Sequence, residues 1–222
     1  MKITCNKISK SYSIGRAKKR NVLNNLSFIL DEGSSLSISG PSGTGKSTLL
    51  NILSGLDDPD NGVIYFDNIC FSDLSNNEKT QFRLKNISLI FQSNNLLRDF
   101  NVIENITLPL RYKGYTKKAS EKYAMKSLEI VNLAYTKYNS VTNLSGGESQ
   151  RVGIARALAM NSRVILADEP TGNLDKDTSL SIMNNLLDIC RDNQVTLITV
   201  SHDETILSLS DNSRMIINGE LI

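Results

Sequence analysis

The run Gly40-Pro41-Ser42-Gly43-Thr44-Gly45-Lys46-Ser47-Thr48 constrains what this chain can fold into more than any other feature. It satisfies G-x-x-x-x-G-K-[ST] at every fixed position. The flanks fit as well. Leu36-Ser37-Ile38-Ser39 reads as a strand entering the loop, and Lys46 to Gly55 reads as a helix leaving it. Glycines let such a backbone turn tightly, so that its N–H groups converge on a polyphosphate. The helix that follows points its positive end at the same anion. At these positions Lys46 would reach the β- and γ-phosphates, and the Ser47 hydroxyl would ligate Mg²⁺.

Val164-Ile165-Leu166-Ala167-Asp168-Glu169 puts two carboxylates directly after four apolar residues. In a phosphate-loop enzyme an Asp at the end of a buried strand holds Mg²⁺ through water. A Glu immediately after it points toward the γ-phosphate and can accept a proton from the attacking water. Carboxylates at a strand end are ordinary when they stand alone, but beside a phosphate loop they complete a hydrolytic set. The long interval between Lys46 and Asp168 accommodates a helical insertion.

The rest of the chain supports strand–helix alternation. Met1–Cys5 and Leu26–Leu30 alternate with period two, Asp31-Glu32-Gly33 reads as a turn, and Asn61-Gly62 introduces a strand at Val63–Phe66. From Lys117 to Leu133 the residues Ala119, Tyr123, Leu128 and Val131 recur at roughly helical spacing. A second helix is expected from Ser145 to Met160, a third from Thr178 to Arg191, and a strand from Val195 to Val200. Strands as apolar as those near 164 and 197 suit a parallel sheet covered on both faces.

Composition narrows the function classes. The 222 residues are 40% hydrophobic and 22% charged, as in an ordinary soluble globular protein. A net charge of +2 with interspersed signs gives no electrostatic case for binding nucleic acid. The tightest basic cluster, Arg16-Ala17-Lys18-Lys19-Arg20, reads as a solvated loop. Cys5, Cys70 and Cys190 are scattered without metal-ligand spacing, which suits reduced packing residues in a cytosolic protein. Met1–Lys7 lacks the apolar core of a signal peptide, and no apolar run approaches the ~20 residues a bilayer span needs. Work at a membrane would require a partner to hold the chain there.

Leu144-Ser145-Gly146-Gly147-Glu148-Ser149-Gln150-Arg151 opens the second helix. Ser145 with Glu148 three residues on is a capping box. Gly146-Gly147 is a poor choice for a first turn, because each Gly costs about 1 kcal/mol relative to Ala. Two bare glycines at a helix N-terminus make sense where an anion approaches closely. The chain already has one phosphate loop, so this second contact would serve a nucleotide held by another copy.

These motifs together resemble the ATP-binding subunit of ABC transporters nearly end to end. Residues 40–48 match that family's Walker A motif, Asp168 and Glu169 its Walker B motif, and Leu144–Gln150 its signature, with Ser149 where Gln or Arg is more usual. Phe91-Gln92 resembles the Q-loop, whose Gln touches Mg²⁺ and senses the membrane partner. Gly172-Asn173-Leu174-Asp175 resembles the D-loop, and Tyr12 sits where the family stacks an aromatic on adenine. His202, the only histidine, matches the switch residue that hydrogen-bonds the γ-phosphate after a strand.

The resemblance implies an α/β P-loop NTPase of the ABC ATPase type. A RecA-like core with an antiparallel β subdomain would cover 1–91 and 163–222, and a helical subdomain 92–162. It implies ATP and Mg²⁺ as ligands, with Ser47, Gln92 and Asp168 on the metal and Glu169, Gln92 and His202 in catalysis. Two copies would pair head to tail on ATP binding, each presenting Ser145, Gly146, Gly147, Glu148 and Asp175 to the ATP of the other. Integral membrane permease subunits would be the partners, at the cytoplasmic face of the inner membrane.

Within the family, Leu166–Asp175 resembles the group of lipoprotein-release (LolD), macrolide-export (MacB) and cell-division (FtsE) ATPases. Asn95–Phe100, Glu104–Leu110 and Gly55-Leu56-Asp57 are most similar to the lipoprotein-release members. No regulatory domain after Asn218-Gly219-Glu220 and no fused membrane domain are expected. The alternatives are a drug or peptide exporter and a cell-division signalling ATPase.

Overall fold

A computed structural model describes residues 1–14 and 18–222. Arg16 and Ala17 of the basic cluster lie outside the described residues. Two sheets organise the molecule. The first is antiparallel, in the order β2 (Lys18–Leu30), β1 (Ile3–Ile14), β4 (Asn61–Phe66), β5 (Ile69–Cys70). The second has the order β10 (Glu220–Leu221), β9 (Asn212–Ile217), β3 (Ser35–Ser39), β8 (Thr196–Val200), β7 (Val164–Asp168), β6 (Ile87–Ile90). Its strands are parallel from β9 through β6, and only β10 runs against its neighbour.

The apolar strands at 164–167 and 196–200 are central and covered on both faces, as their composition requires. Their side chains alternate between two cores. Val164, Leu166, Ile198 and Val200 join α1 (Lys46–Ser54) and the antiparallel sheet, where Phe66, Phe71 and Phe82 pack with ring centroids 5.1 to 5.2 Å apart. Ile165, Ala167 and Leu197 face the other core. That core runs continuously through α3 (Val102–Tyr112), α4 (Lys117–Ile130), α5 (Gly146–Ala159) and α6 (Lys176–Asp192). The helices between β6 and β7 therefore stand on the sheet through shared apolar packing.

Several elements extend beyond the sequence expectation. β1 runs on to Ile14, and β2 starts at Lys18 rather than near Leu26. Their ladder carries register shifts between Cys5 and Ser11, which absorb the irregular alternation of that stretch. α2 (Asn76–Asn86) was not anticipated, because it carries only two large apolar residues, Phe82 and Leu84. A complete Ser75–Glu78 capping box starts it. A short α7 (Glu204–Leu207) completes the set. Cys5 and Cys190 are buried, Cys70 is half-buried, and all three are free thiols. Burial pushes the Cys190 thiol up to about 12, which suits a packing role.

Candidate functional site

Parallel strands align their carboxyl ends, and a crevice there is where open α/β sheets hold ligands. β3 delivers Gly40–Thr48 to that edge, β6 delivers Phe91-Gln92, β7 Asp168-Glu169, and β8 Ser201-His202. Adjacent strands keep these loops close. The Glu169 amide donates to the Val200 carbonyl at 2.9 Å, and the Ser201 amide donates to the Ile38 carbonyl at 3.2 Å.

The phosphate loop ends in Gly45, which caps α1 in the left-handed region at φ +105°. A Cβ at Gly45 would come within 2.8 Å of the Val22 carbonyl oxygen, so both the backbone and the space demand glycine. No side chain caps α1, whereas α2 to α7 each carry a side-chain cap. The first N–H groups of α1 are thus left to an external acceptor. Lys46 Nζ donates to the Gly40 and Pro41 carbonyls at 2.7 and 3.0 Å, which holds the ammonium over the loop.

Ser47 and Asp168 lie near each other across the base of the loop, close enough for the Ser47 hydroxyl to act on the Asp168 carboxyl. Burial pushes the Asp168 carboxyl above the usual carboxylate range. The Ser47 hydroxyl opposes that shift, and the neighbouring Glu169 charge adds to it. A hard cation beside this hydroxyl–carboxylate pair would find oxygen donors of the right kind. Gln92 follows β6 at the same edge, exposed. The loop after it is held to α5 by Arg156, whose guanidinium donates to the Asn94 and Asn95 carbonyls at 2.7 and 2.9 Å.

Glu169 sits in the left-handed region at φ +46°, a costly conformation for a non-glycine residue. Its backbone is held at both ends. Besides the bond to Val200, its carbonyl accepts from the Gly172 amide at 3.2 Å and from Gln150 Nε2 at 3.3 Å. Its carboxylate lies 2.9 Å from His202 Nδ1. That bond pushes the His202 pKa up, toward the form in which both ring nitrogens donate. His202 is 76% exposed at the side chain.

Tyr12 and Arg20 oppose each other in the β1–β2 ladder, so both side chains project to one face. They line a cavity of 360 Å³ with Val22, Gly43, Gly45, Lys46, Ser47 and Thr48. The Tyr12 hydroxyl donates to Asp57 at 2.6 Å, and Lys10 Nζ stands 5.3 Å from the ring centroid. The aromatic expected to receive a base therefore shares one cavity with the phosphate loop. Arg20, read from sequence only as part of a solvated cluster, also reaches the loop, with a guanidinium nitrogen 3.1 Å from the Gly43 carbonyl.

Ser145 to Glu148 do not line that cavity. They form the start of α5 with the full capping box: Ser145 N to Glu148 Oε2 at 2.9 Å and Glu148 N to Ser145 Oγ at 3.2 Å. The Tyr135 hydroxyl also donates to Glu148. The two glycines divide. A Cβ at Gly146 would meet nothing within 4 Å, whereas one at Gly147 would lie 3.1 Å from Leu174 Cδ2. Close packing on the 172–175 loop thus explains Gly147 in part, where the sequence suggested anion access for both. Asp175 accepts from the Thr178 amide at 2.9 Å and caps α6.

Gln150 was missed from sequence. It is wholly buried, yet both ends of its amide are engaged. Its helical spacing from Ser145 was the available signal, but its partners lie far along the chain.

A model of the ABC transporter family matches residues 23–172. The lipoprotein-releasing system ATP-binding protein LolD of Treponema denticola is 39% identical over 214 residues, covering 96% of this chain and 94% of its own length. The protein of the same name from Francisella tularensis is 39% identical over 220 residues, covering 99% and 95%. Among solved structures, the dimeric post-hydrolysis state of the ATP-binding cassette MJ0796 bound to ADP and Pi superposes with a TM-score of 0.94. It is 36% identical, covering 99% of this chain and 96% of that one.

Proposed function

This chain belongs to the ABC transporter family, and from that premise we propose that it hydrolyses ATP to drive a separate membrane permease in lipoprotein release. The observation that carries the reading is the convergence of Lys46, Ser47, Gln92, Asp168, Glu169 and His202 on one carboxyl edge of the parallel sheet. Amides of residues 40–48 and the Lys46 ammonium hold the phosphates, and Tyr12 stacks on the base. Ser47, Asp168 and Gln92 would hold Mg²⁺. When bound, that ion would neutralise charge on the phosphates. Glu169 takes a proton from water as the water oxygen bonds to the γ-phosphorus and the bond from that phosphorus to the bridging oxygen breaks, leaving ADP and phosphate. His202, donating to Glu169 through Nδ1, offers Nε2–H to the γ-phosphate.

The signature end of α5 completes the site of a second copy. Ser145, Gly146, Gly147 and Glu148 lie away from the cavity of their own chain, which suits two chains paired head to tail across two ATPs. Residues 1–91 with 163–222 act as the nucleotide-holding lobe, and 92–162 as the lobe that carries the signature.

No helix among the described residues is long and apolar enough to cross a membrane. The permease partner therefore needs a docking surface. A groove of 580 Å³ begins at Phe91, next to Gln92, and continues along Leu97, Leu108, Pro109, Tyr112 and Met160. Tyr112 is 75% exposed there. Apolar side chains left open beside the loop that carries Gln92 fit a cytoplasmic segment of the permease, which holds the chain at the membrane's inner face.

Glu169→Gln tests the reading. ATP affinity should stay within about threefold while turnover falls by at least ~100-fold, and the protein should become dimeric in Mg-ATP. Size-exclusion chromatography with light scattering reads the dimer. A monomer at saturating Mg-ATP would refute the two-copy site.

A further inference from the structure

Gln150 joins three motifs that the ATPase reading treats separately. It lies in α5, just over one turn past the Ser145 cap, and its side chain is wholly buried. A buried amide without partners would cost about 1 to 3 kcal/mol, so its bonds fix where it points. Its Nε2 donates to the Glu169 carbonyl at 3.3 Å, and its Oε1 accepts from Asn173 Nδ2 at 3.1 Å. One amide thus spans the signature helix, the strained residue that bears the catalytic carboxylate, and the 172–175 loop.

The contact at Gly147 reinforces this link. Its Cα lies so close to the same loop that a Cβ would reach Leu174 at 3.1 Å and the Asn173 carbonyl at 3.4 Å. Any displacement of the first turn of α5 is therefore passed to residues 173 and 174 by packing, and to Glu169 by Gln150. Glu169 is sensitive to such a push. At φ +46° its backbone depends on the three hydrogen bonds that hold it, and one of those is from Gln150.

We propose that Gln150 is a positioning residue that transmits contact between the start of α5 and the partner copy's ATP to Glu169 of its own chain. This rests on the two-copy reading above. When the partner's γ-phosphate seats on Ser145 and Gly147, α5 sets Gln150, and Gln150 sets the Glu169 carbonyl and hence the direction of its carboxylate. Each copy becomes competent only when its signature is engaged, so the two sites fire together. The coupling is physical, through one buried amide with two partners, and its Asn173 end can be cut on its own.

The experiment compares Gln150→Leu, which keeps the volume and removes both bonds, with Asn173→Ala at the exposed end. For Gln150→Leu the Kd for Mg-ATP should stay within about twofold, kcat should fall at least ~10-fold, and the Hill coefficient for ATP should drop toward 1. Asn173→Ala should move kcat and the Hill coefficient the same way, by about threefold in kcat, and the double variant should be no worse than Gln150→Leu. A Gln150→Leu protein with wild-type kcat and Hill coefficient overturns the proposal. So does one that loses ATP affinity and melting temperature in step, which is the mark of a merely structural residue. If Gln150→Leu does not fold, Asn173→Ala decides alone, and unchanged turnover and cooperativity there overturn the link. Wild-type protein that neither hydrolyses ATP nor pairs on binding it would instead refute the ATPase reading, whatever the variants do.

Discussion

α1 and α5 both begin with glycines, and they begin in opposite ways. α1 has a left-handed Gly45 at its cap and no side chain on its free amides. α5 has a normal extended cap at Ser145 and a closed reciprocal box with Glu148. The first terminus is open to an anion, because no side chain among the described residues caps it. The second is stable without one, and Ser145 Oγ already accepts from the Glu148 amide. An anion reaching it would add to a finished helix start.

The sharpest way to break the comparison is Gly45→Ala. The new Cβ would press on backbone at 2.8 Å, and φ +105° is strained for any L-residue. Nucleotide affinity should fall by at least ~100-fold, with turnover lost as well, and stability should drop by about 1 to 3 kcal/mol. Calorimetric titration with Mg-ATP checks it, and near-normal binding would mean that the loop geometry is not what holds phosphate. Ser145→Arg comes next. ATP affinity should stay within about threefold because Ser145 does not line its own chain's cavity, while kcat should fall by at least ~100-fold. Loss of the cap should lower stability by about 1 kcal/mol. An active Ser145→Arg protein would make the α5 terminus only a helix start.

How much of this difference the sequence revealed depended on how local each feature is. Gly40–Thr48 was legible because its chemistry is contained in consecutive residues between a strand and a helix. The Ser145–Glu148 box was equally local, and the structure forms it in full. Asp168 and Glu169 could be placed at a strand end, but the left-handed backbone of Glu169 could not be foreseen, because Val200, Gly172 and Gln150 impose it from three segments. Gln150 escaped for the same reason: its partners lie beyond the reach of helical spacing. The packing of Gly147 on the 172–175 loop was equally hidden, since Leu174, 3.1 Å from where its Cβ would stand, comes from a distant segment. α2 was missed because its eleven residues are mostly polar and give no clear period, with even Lys79 buried through an ion pair to Asp58 at 2.5 Å.

The smallest effect belongs to Gly146→Ala, and it separates the two meanings of a glycine at a helix start. Unlike Gly45, Gly146 has no positive φ, and its Cβ would enter open space. In the folded chain the change is therefore free of strain, and the gain in helix propensity should leave the melting temperature equal or raise it, by up to about 1 kcal/mol in stability. ATP affinity should not move, since the cavity lies elsewhere. If a second copy's phosphate comes against this turn, the added methyl should still lower kcat by about threefold, through a contact present only when two chains meet. Thermal melts and steady-state kinetics on one preparation check it. Unchanged kcat with higher stability would assign Gly146 no part in phosphate contact and leave Ser145 and the Gly147 backbone to carry it.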